Sequence, residues 1–113
     1  MIRSKNKRDE ALFYEEYVAN QLRAQGFINV RLTKKTGDYG ADILCVDLRG
    51  NTCAVQCKCY SKPVGYKAVE EALAGAKYYN CKRALLVSNS YFTKNACEGA
   101  QRLGVELFMC FLT

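Results

Sequence analysis

Three polar residues stand out in a β-rich part of the sequence. Asp42 begins one apolar run, and Gln56 and Lys58 lie in the next run, TCAVQCKCY. Side chains two residues apart on a strand point to the same side of the sheet, so Gln56 and Lys58 share a face. A hairpin that joins the two runs brings Asp42 close to both. A carboxylate, an amide oxygen and a lysine on one face suit the binding of a metal ion and a phosphate group.

The register of this hairpin decides which residue faces Asp42. A three-residue loop at residues 49–51 pairs residues whose numbers sum to 100, so that Asp42 lies opposite Lys58 and Gln56 lies diagonally across. A two-residue loop shifts the pairing by one residue. In either register we expect Asp42 and Lys58 to lie close together, which reduces the cost of burying the lysine. A purely structural ion pair is the alternative that these residues leave open.

The chemistry that suits this set is metal-assisted hydrolysis of a phosphodiester. Mg²⁺ prefers oxygen ligands and is often held by one or two carboxylates together with water and substrate phosphate. Asp42 supplies a carboxylate, Gln56 an amide oxygen, and Cys57 a main-chain carbonyl. The metal lowers the pKa of its bound water. Lys58 orients or helps to deprotonate the attacking water, or stabilises charge on the phosphoryl oxygens.

The first helix offers one further acid to this site. Apolar residues recur at helical spacing from Ala11 to Leu22. Glu15 borders this stripe, because it lies seven residues before Leu22, whereas Glu16 points nearly the opposite way. We therefore expect Glu15 to approach the sheet as a ligand of the metal or of its water. An exposed acid on the flank of the helix is the alternative.

The seven cysteines and the absence of histidine limit the other kinds of chemistry. Histidine general bases, His–Asp nucleophile triads and histidine zinc ligands are excluded. The odd number of cysteines, with no signal peptide and no long apolar run, predicts free thiols, a cytoplasmic protein and no membrane segment. Cys57 and Cys59 have the spacing of half a zinc site or of a reactive thiol pair. No second pair completes that site, so we expect both side chains in the core.

The composition favours one basic, folded domain. Half of the 113 residues are hydrophobic, which is enough for a single core. Lysine and arginine number 17 against 11 acidic residues, and the net charge of +6 suits a polyanionic partner such as nucleic acid. A basic surface that only aids solubility is the alternative.

The surrounding pattern predicts an α/β fold. Residues 1–8, with four basic residues, predict a flexible basic arm, and residues 9–113 predict a single domain. A first helix begins near Asp9 and ends before Gly26. Three strands, a second helix, the apolar strand RALLVS, a third helix capped by Thr93 and a last strand follow. The order α-β-β-β-α-β-α-β predicts a mixed central β-sheet flanked by helices.

These segments resemble the catalytic domain of Mrr-type restriction endonucleases, which belong to the PD-(D/E)xK nuclease superfamily. The resemblance covers about residues 11–110, almost the whole chain. Its most specific parts are G-D-x-G-A-D at residues 37–42 and V-Q-C-K-x-Y at residues 55–60. It implies a restriction-endonuclease-like core and a metal-dependent DNA endonuclease.

The resemblance also implies roles for individual residues. It places Asp42, Gln56 and Lys58 at the catalytic positions and Glu15 at the acidic position of the first helix. The family has glutamine where the superfamily motif usually has an acid, which accounts for Gln56. Family members often have an acid at the position of Asp38, so we expect Asp38 to touch the site without being a direct metal ligand.

Residues around the motifs are expected to shape the site and to contact DNA. Gly37 and Gly40 are expected to allow a close approach to the second strand rather than to bind phosphate. Tyr60, Lys62 and Lys67 lie near the start of the second helix, where we expect them to contact DNA phosphates. Ordinary solvated lysines are the alternative.

The sequence therefore predicts a Mg²⁺-dependent endodeoxyribonuclease, with Mn²⁺ as a substitute ion and a role in restriction, repair or junction resolution. A non-catalytic nucleic-acid-binding module of the same fold is the alternative, and retention of Asp42, Gln56 and Lys58 speaks against it. We expect a homodimer, because cutting both strands usually requires two sites. Many relatives carry a DNA-reading or membrane segment that these residues lack, so single-site specificity is expected to need a separate specificity subunit.

Overall fold

The computed structural model describes residues 7–33 and 39–112 of the chain. The elements follow in the order α1 (Lys7–Ala24), β1 (Ile28–Leu32), β2 (Ile43–Val46), β3 (Thr52–Lys58), α2 (Tyr66–Tyr78), β4 (Arg83–Ser88), α3 (Lys94–Leu103) and β5 (Val105–Met109). This confirms the predicted order. Helix α1 begins two residues earlier than expected, so Lys7 and Arg8 of the predicted arm are helical, and residues 1–6 lie outside the described part.

The five strands form one mixed sheet in the order β1-β2-β3-β4-β5. Strands β1, β2 and β3 are antiparallel neighbours, whereas β3, β4 and β5 run parallel. Parallel neighbours need a crossover, and α2 and α3 supply the two crossovers. The mixed sheet flanked by helices is therefore confirmed.

Two apolar clusters cover the two faces of the sheet. One contains buried residues of α2, α3 and the sheet, including Val69, Ala100, Ala54 and Leu86. The other contains buried residues of α1 and the sheet, including Tyr14, Val18, Val55 and Leu85. Strand β4 contributes to both clusters, and all its residues after Arg83 are buried, which explains its continuous apolar run. The site residues of β3 therefore lie on the face covered by α2.

The hairpin between β2 and β3 differs from the prediction by one residue in its loop. Paired residues have numbers that sum to 98, from Ile43 opposite Val55 to Val46 opposite Thr52. The loop is 48–50 rather than 49–51, because the carboxylate of Asp47 accepts the N–H groups of Arg49 and Asn51, at 2.9 and 2.8 Å. The predicted pairing of Asp42 with Lys58 is therefore wrong, and the register places Asp42 opposite Gln56.

The burial of Cys57 is confirmed, whereas Cys59 is only partly buried and Cys97 is exposed. None of the seven forms a disulfide. Cys57 is buried in the α1 cluster, on the face of β3 opposite to Gln56, and Cys59, just after β3, packs against this cluster. Among the helices of the described residues, none is both long enough and apolar enough to cross a membrane.

Candidate active site

The candidate site lies at the edge of the sheet where β2 begins and β3 ends. Because β2 runs antiparallel to β3, Asp42, just before β2, meets Gln56 and Lys58 at the carboxyl end of β3. The carboxyl ends of β4 and β5 lie at this same edge. Ligands of open α/β sheets commonly bind at such an edge. The hairpin register thus places the backbones of Asp42, Gln56 and Lys58 at one edge of the sheet.

The position of Asp42 is fixed by its backbone and by its side chain. Its N–H donates to the Val55 carbonyl at 2.7 Å, and its carbonyl accepts the Thr33 N–H at 2.9 Å. The Cys57 N–H donates to the Asp42 carboxylate oxygen Oδ2 at 2.8 Å. The carboxylate is therefore held against the end of β3, beside the main chain of Gln56 and Cys57.

Gln56 has a buried side chain whose amide oxygen accepts no hydrogen bond from the described residues. Only 5% of its surface is exposed. Its amide oxygen Oε1 is fully buried and accepts no hydrogen bond within the described residues. A buried acceptor without a partner costs on the order of 1–3 kcal/mol, so such an atom needs an explanation. A divalent cation bound by this oxygen would provide one, since hard cations prefer oxygen ligands.

The donor set fits a hard divalent ion better than zinc. Within residues 7–33 and 39–112, no three His, Cys, Asp or Glu side chains lie close enough together to hold a metal ion. The oxygens at this edge come instead from Asp42, Gln56 and the main chain. A magnesium ion accepts such a set, because it retains water and binds substrate phosphate directly.

Lys58 has a partner that the sequence analysis missed. Its Nζ atom lies 2.7 Å from Oε1 of Glu71 on α2. Burial lowers the pKa of Lys58, but the hydrogen bond and the charge of Glu71 outweigh it, so this pKa is raised. Ala68 and Gly75, on the same side of α2, are buried, so the helical argument applied to Glu15 also places Glu71 beside the apolar stripe.

A cleft of about 400 Å³ opens next to this ion pair. It is lined by Lys58, Tyr60, Lys62, Pro63, Gly65, Lys67, Ala68 and Glu71. Ser90 donates its hydroxyl to the Lys62 carbonyl at 2.8 Å, and the Tyr60 N–H donates to the Asn89 side chain at 2.8 Å. All three predicted phosphate contacts thus line one cleft with Lys58, and we call it the lysine cleft.

Glu15 is buried, as the helical spacing predicts, whereas Glu16 is exposed. Only 7% of the surface of Glu15 is accessible. The neighbouring Tyr14 hydroxyl donates to the Cys110 carbonyl, just after β5, at 2.7 Å. This bond attaches α1 at the same end of the sheet as Asp42, although α1 covers the other face. Asp38 lies outside the described residues.

Two glycines fit the segment before Asp42 against α2. A Cβ atom at Gly75 would collide with the carbonyl of Gly40, and one at Gly40 would collide with the carbonyl of Glu71. Gly40 also has a φ of +91°, which disfavours other residues. The close approach expected of Gly40 therefore exists, but its partner is α2 rather than the second strand. Gly37 lies outside the described residues.

Comparison with known proteins identifies the family and the fold. The sequence profile of the Mrr_cat family, described as restriction endonuclease, matches residues 8–109. A search of curated proteins gave no match. Among solved structures, a repair endonuclease from Pyrococcus abyssi is 18% identical with a TM-score of 0.67, covering 97% of this chain and 50% of that one.

Two other solved structures show the same fold. EndoMS in complex with double-stranded DNA is 20% identical with a TM-score of 0.66, covering 98% of this chain and 46% of that one. A protein of unknown function, AF1548, is 20% identical with a TM-score of 0.71, covering 86% of this chain and 56% of that one. The chain thus spans about half the length of each of these three structures.

Proposed function

Because the chain belongs to the Mrr_cat restriction endonuclease family, we propose that it is a divalent-metal-dependent endonuclease that hydrolyses phosphodiester bonds in DNA. The observation that carries this proposal is the unpaired, buried oxygen of Gln56 opposite Asp42. An oxygen without a donor, next to a fixed carboxylate and a lysine cleft, suits a metal ion that binds a phosphate.

The proposed ion is Mg²⁺, with Mn²⁺ as a substitute. Asp42, the Oε1 atom of Gln56 and the main-chain carbonyl of Cys57 would hold it, and Glu15 is proposed as a further ligand. When bound, the ion supplies a water of lowered pKa and compensates charge on the phosphate. The hydrogen bond from the Cys57 N–H keeps the Asp42 carboxylate in place for this role.

Lys58 is proposed to act as a cation at the phosphate. Its ion pair with Glu71 raises its pKa, so it stays protonated at neutral pH. A protonated lysine cannot accept a proton from water, but it can stabilise negative charge on phosphoryl oxygens. Of the roles that the sequence left open for Lys58, this favours the stabilisation of charge on the phosphoryl oxygens.

DNA is the proposed substrate, and the charges of the lysine cleft support it. Three lysines and one glutamate line this cleft, and Lys62 and Lys67 are exposed to solvent. We propose that Tyr60, Lys62 and Lys67 contact phosphates along one strand, which positions the scissile bond near Asp42. The EndoMS structure contains double-stranded DNA, in a protein of the same fold.

A homodimer would place two such sites on the two strands of a duplex. We propose this assembly, a cytoplasmic location, and a separate specificity subunit for any single-site cutting. Cleavage of a panel of linear, branched and methylated DNA substrates would identify the preferred substrate. This preference would distinguish between roles of the protein in restriction, repair and junction resolution.

The experiment that tests the proposed function uses supercoiled plasmid DNA. The purified chain is incubated with plasmid in Mg²⁺, in Mn²⁺ or in EDTA, and nicked and linear products are quantified. Nicking in either metal and none in EDTA is the expected result. If the chain binds the plasmid with a steep salt dependence but never nicks it, the non-catalytic binding module becomes the better account.

A further inference from the structure

Two exposed tyrosines form a stacked pair beside the candidate site. The rings of Tyr39 and Tyr78 lie parallel, with centroids 3.9 Å apart and an interplanar angle of 6°. Tyr79 packs edge-on against Tyr78, at 5.0 Å. Even within this cluster, 46% of Tyr39 and 57% of Tyr78 remain exposed. Considerable aromatic surface therefore faces solvent at one place.

The pair is connected to the lysine cleft through Glu71. A second groove, of about 350 Å³, is lined by Tyr39, Gly40, Glu71, Ala74 and Tyr78. Glu71 also lines the lysine cleft. Tyr39 lies three residues before Asp42, in the segment that Gly40 fits against α2. A strand whose phosphates occupy the lysine cleft can therefore reach the tyrosines without leaving the site.

We propose that the Tyr39–Tyr78 pair is a stacking site for an unpaired nucleobase of the DNA strand held in the lysine cleft. This inference rests on the proposed function, because it takes the position of the phosphates from it. Bases stack on exposed tyrosine rings in proteins that bind single-stranded DNA, and the stacking tolerates any sequence because every base has a π-face. The groove is unsuitable for a phosphate, because the charged side chain among its lining residues is the carboxylate of Glu71, which would repel it.

The inference predicts a class of substrate. A base that is paired and stacked in a duplex cannot also stack on tyrosine unless it is extruded, which costs a few kcal/mol and costs least at mismatched or unpaired positions. DNA with an unpaired nucleotide beside the scissile phosphate, as in gaps, mismatches and branches, is therefore preferred over a fully paired duplex.

The test compares the binding of two DNA molecules in EDTA, where cleavage does not occur. One is a fully paired duplex, and the other carries a single unpaired 2-aminopurine. Wild type is expected to bind the second more tightly and to quench the fluorescence of its 2-aminopurine. Tyr39→Leu and Tyr78→Leu keep apolar bulk but remove the aromatic face, and each should weaken this binding about 5- to 100-fold.

The controls separate stacking from folding. Tyr39→Phe and Tyr78→Phe should retain the preference, because they keep the ring. Phe13→Ala changes an aromatic residue on α1 that is 57% exposed, and it should leave binding unchanged. Far-ultraviolet circular dichroism must show that each Leu variant is folded.

Equal affinity of wild type for the two DNA molecules overturns the stacking site, and so does full binding by folded Leu variants. The proposed function fails independently, when the chain binds the unpaired DNA but never cuts any DNA in Mg²⁺ or Mn²⁺.

Discussion

Lys58 on β3 is held by Glu71 on α2, with 2.7 Å between Nζ and Oε1. The side chain of Lys58 is 16% exposed and that of Glu71 is 37% exposed, so the pair lies at the inner edge of the lysine cleft. The Lys58 ammonium has three N–H donors, so it can hold the Glu71 carboxylate and still donate to a phosphate in the proposed site. Glu71 therefore raises the pKa of Lys58 and holds its ammonium group in place.

The substitution Glu71→Gln tests whether Glu71 keeps Lys58 protonated. Burial lowers the pKa of Lys58 and Glu71 raises it, so removing the carboxylate lowers this pKa and Lys58 loses its proton at lower pH. We expect the ratio of the variant's cleavage rate to that of wild type to fall as the pH rises from about 7 to about 10. Glu70→Gln, at an exposed neighbouring position, is the control. A ratio that stays constant over this range would show that Glu71 does not set the charge of Lys58.

Gln56→Met tests whether the unpaired oxygen binds the ion. A ligand that binds only the folded state stabilises it, by about 2.7 kcal/mol at a concentration 100-fold above Kd. Mg²⁺ or Mn²⁺ should therefore raise the Tm of the wild type by several degrees, and this increase should be lost in Gln56→Met. Gln56→Glu, which adds a second carboxylate, should enlarge it. Equal increases of Tm in wild type and Gln56→Met would show that the Gln56 oxygen does not bind the metal ion.

Gly75→Ala tests whether the close approach of α2 positions Asp42. The added Cβ meets the backbone of Gly40 and Ala41 rather than a flexible side chain. We expect the free energy of unfolding to fall by about 1–3 kcal/mol and the cleavage rate to fall with it. Urea unfolding and plasmid nicking measure the two effects. The matched control is Glu70→Ala, at an exposed site on the same helix, and a Gly75→Ala variant as stable as this control would contradict the clash.

Asp47 supplies a prediction about acid stability, far from the site. Burial raises the pKa of Asp47, but hydrogen bonds from Asn51 and Arg83 outweigh it and lower this pKa to about 2 from 3.8. Because the pKa is depressed in the folded state, the stabilisation is complete above about pH 4 and is lost as the pH falls towards 2.

In urea unfolding, the wild type should have a larger free energy of unfolding than Asp47→Asn above about pH 4, and this difference should disappear as the pH falls towards about 2. Glu98→Gln, an exposed change, should show no such trend. If the difference between wild type and Asp47→Asn is the same at pH 2 and pH 5, the carboxylate does not stabilise the hairpin.

The periodicity of the sequence predicted the elements, because each depends on local patterns. Thr93 begins α3 as predicted, its hydroxyl accepting the Ala96 N–H at 3.1 Å. Gly26, with a φ of +100°, ends α1 as predicted. The burial of Glu15 also followed from helical spacing, whereas its role as a ligand stays a prediction.

The features that the sequence did not predict depend on side-chain contacts and on tertiary packing. The hairpin loop differs from the prediction by one residue because the Asp47 carboxylate accepts the N–H groups of Arg49 and Asn51. The alternation of apolar residues in the sequence does not reveal such a side-chain hydrogen bond. The pair Lys58–Glu71 joins β3 to α2, and the pair Tyr39–Tyr78 joins the segment before β2 to α2. Such pairs can be predicted only when the position of α2 relative to the start of β2 is known.

The central claim, that Asp42 and Lys58 belong to a metal-dependent nuclease site, is tested most directly by measuring cleavage and binding on the same variants. Asp42→Asn and Lys58→Met are compared with Lys82→Met, an exposed lysine just before β4, at the opposite end of the sheet. Plasmid nicking is measured in Mg²⁺, and DNA affinity is measured in EDTA. We predict that Asp42→Asn and Lys58→Met lose nicking by at least about 100-fold while DNA affinity changes less than about 10-fold, and that Lys82→Met nicks like wild type. Nicking by Asp42→Asn or Lys58→Met at the wild-type rate would contradict the account.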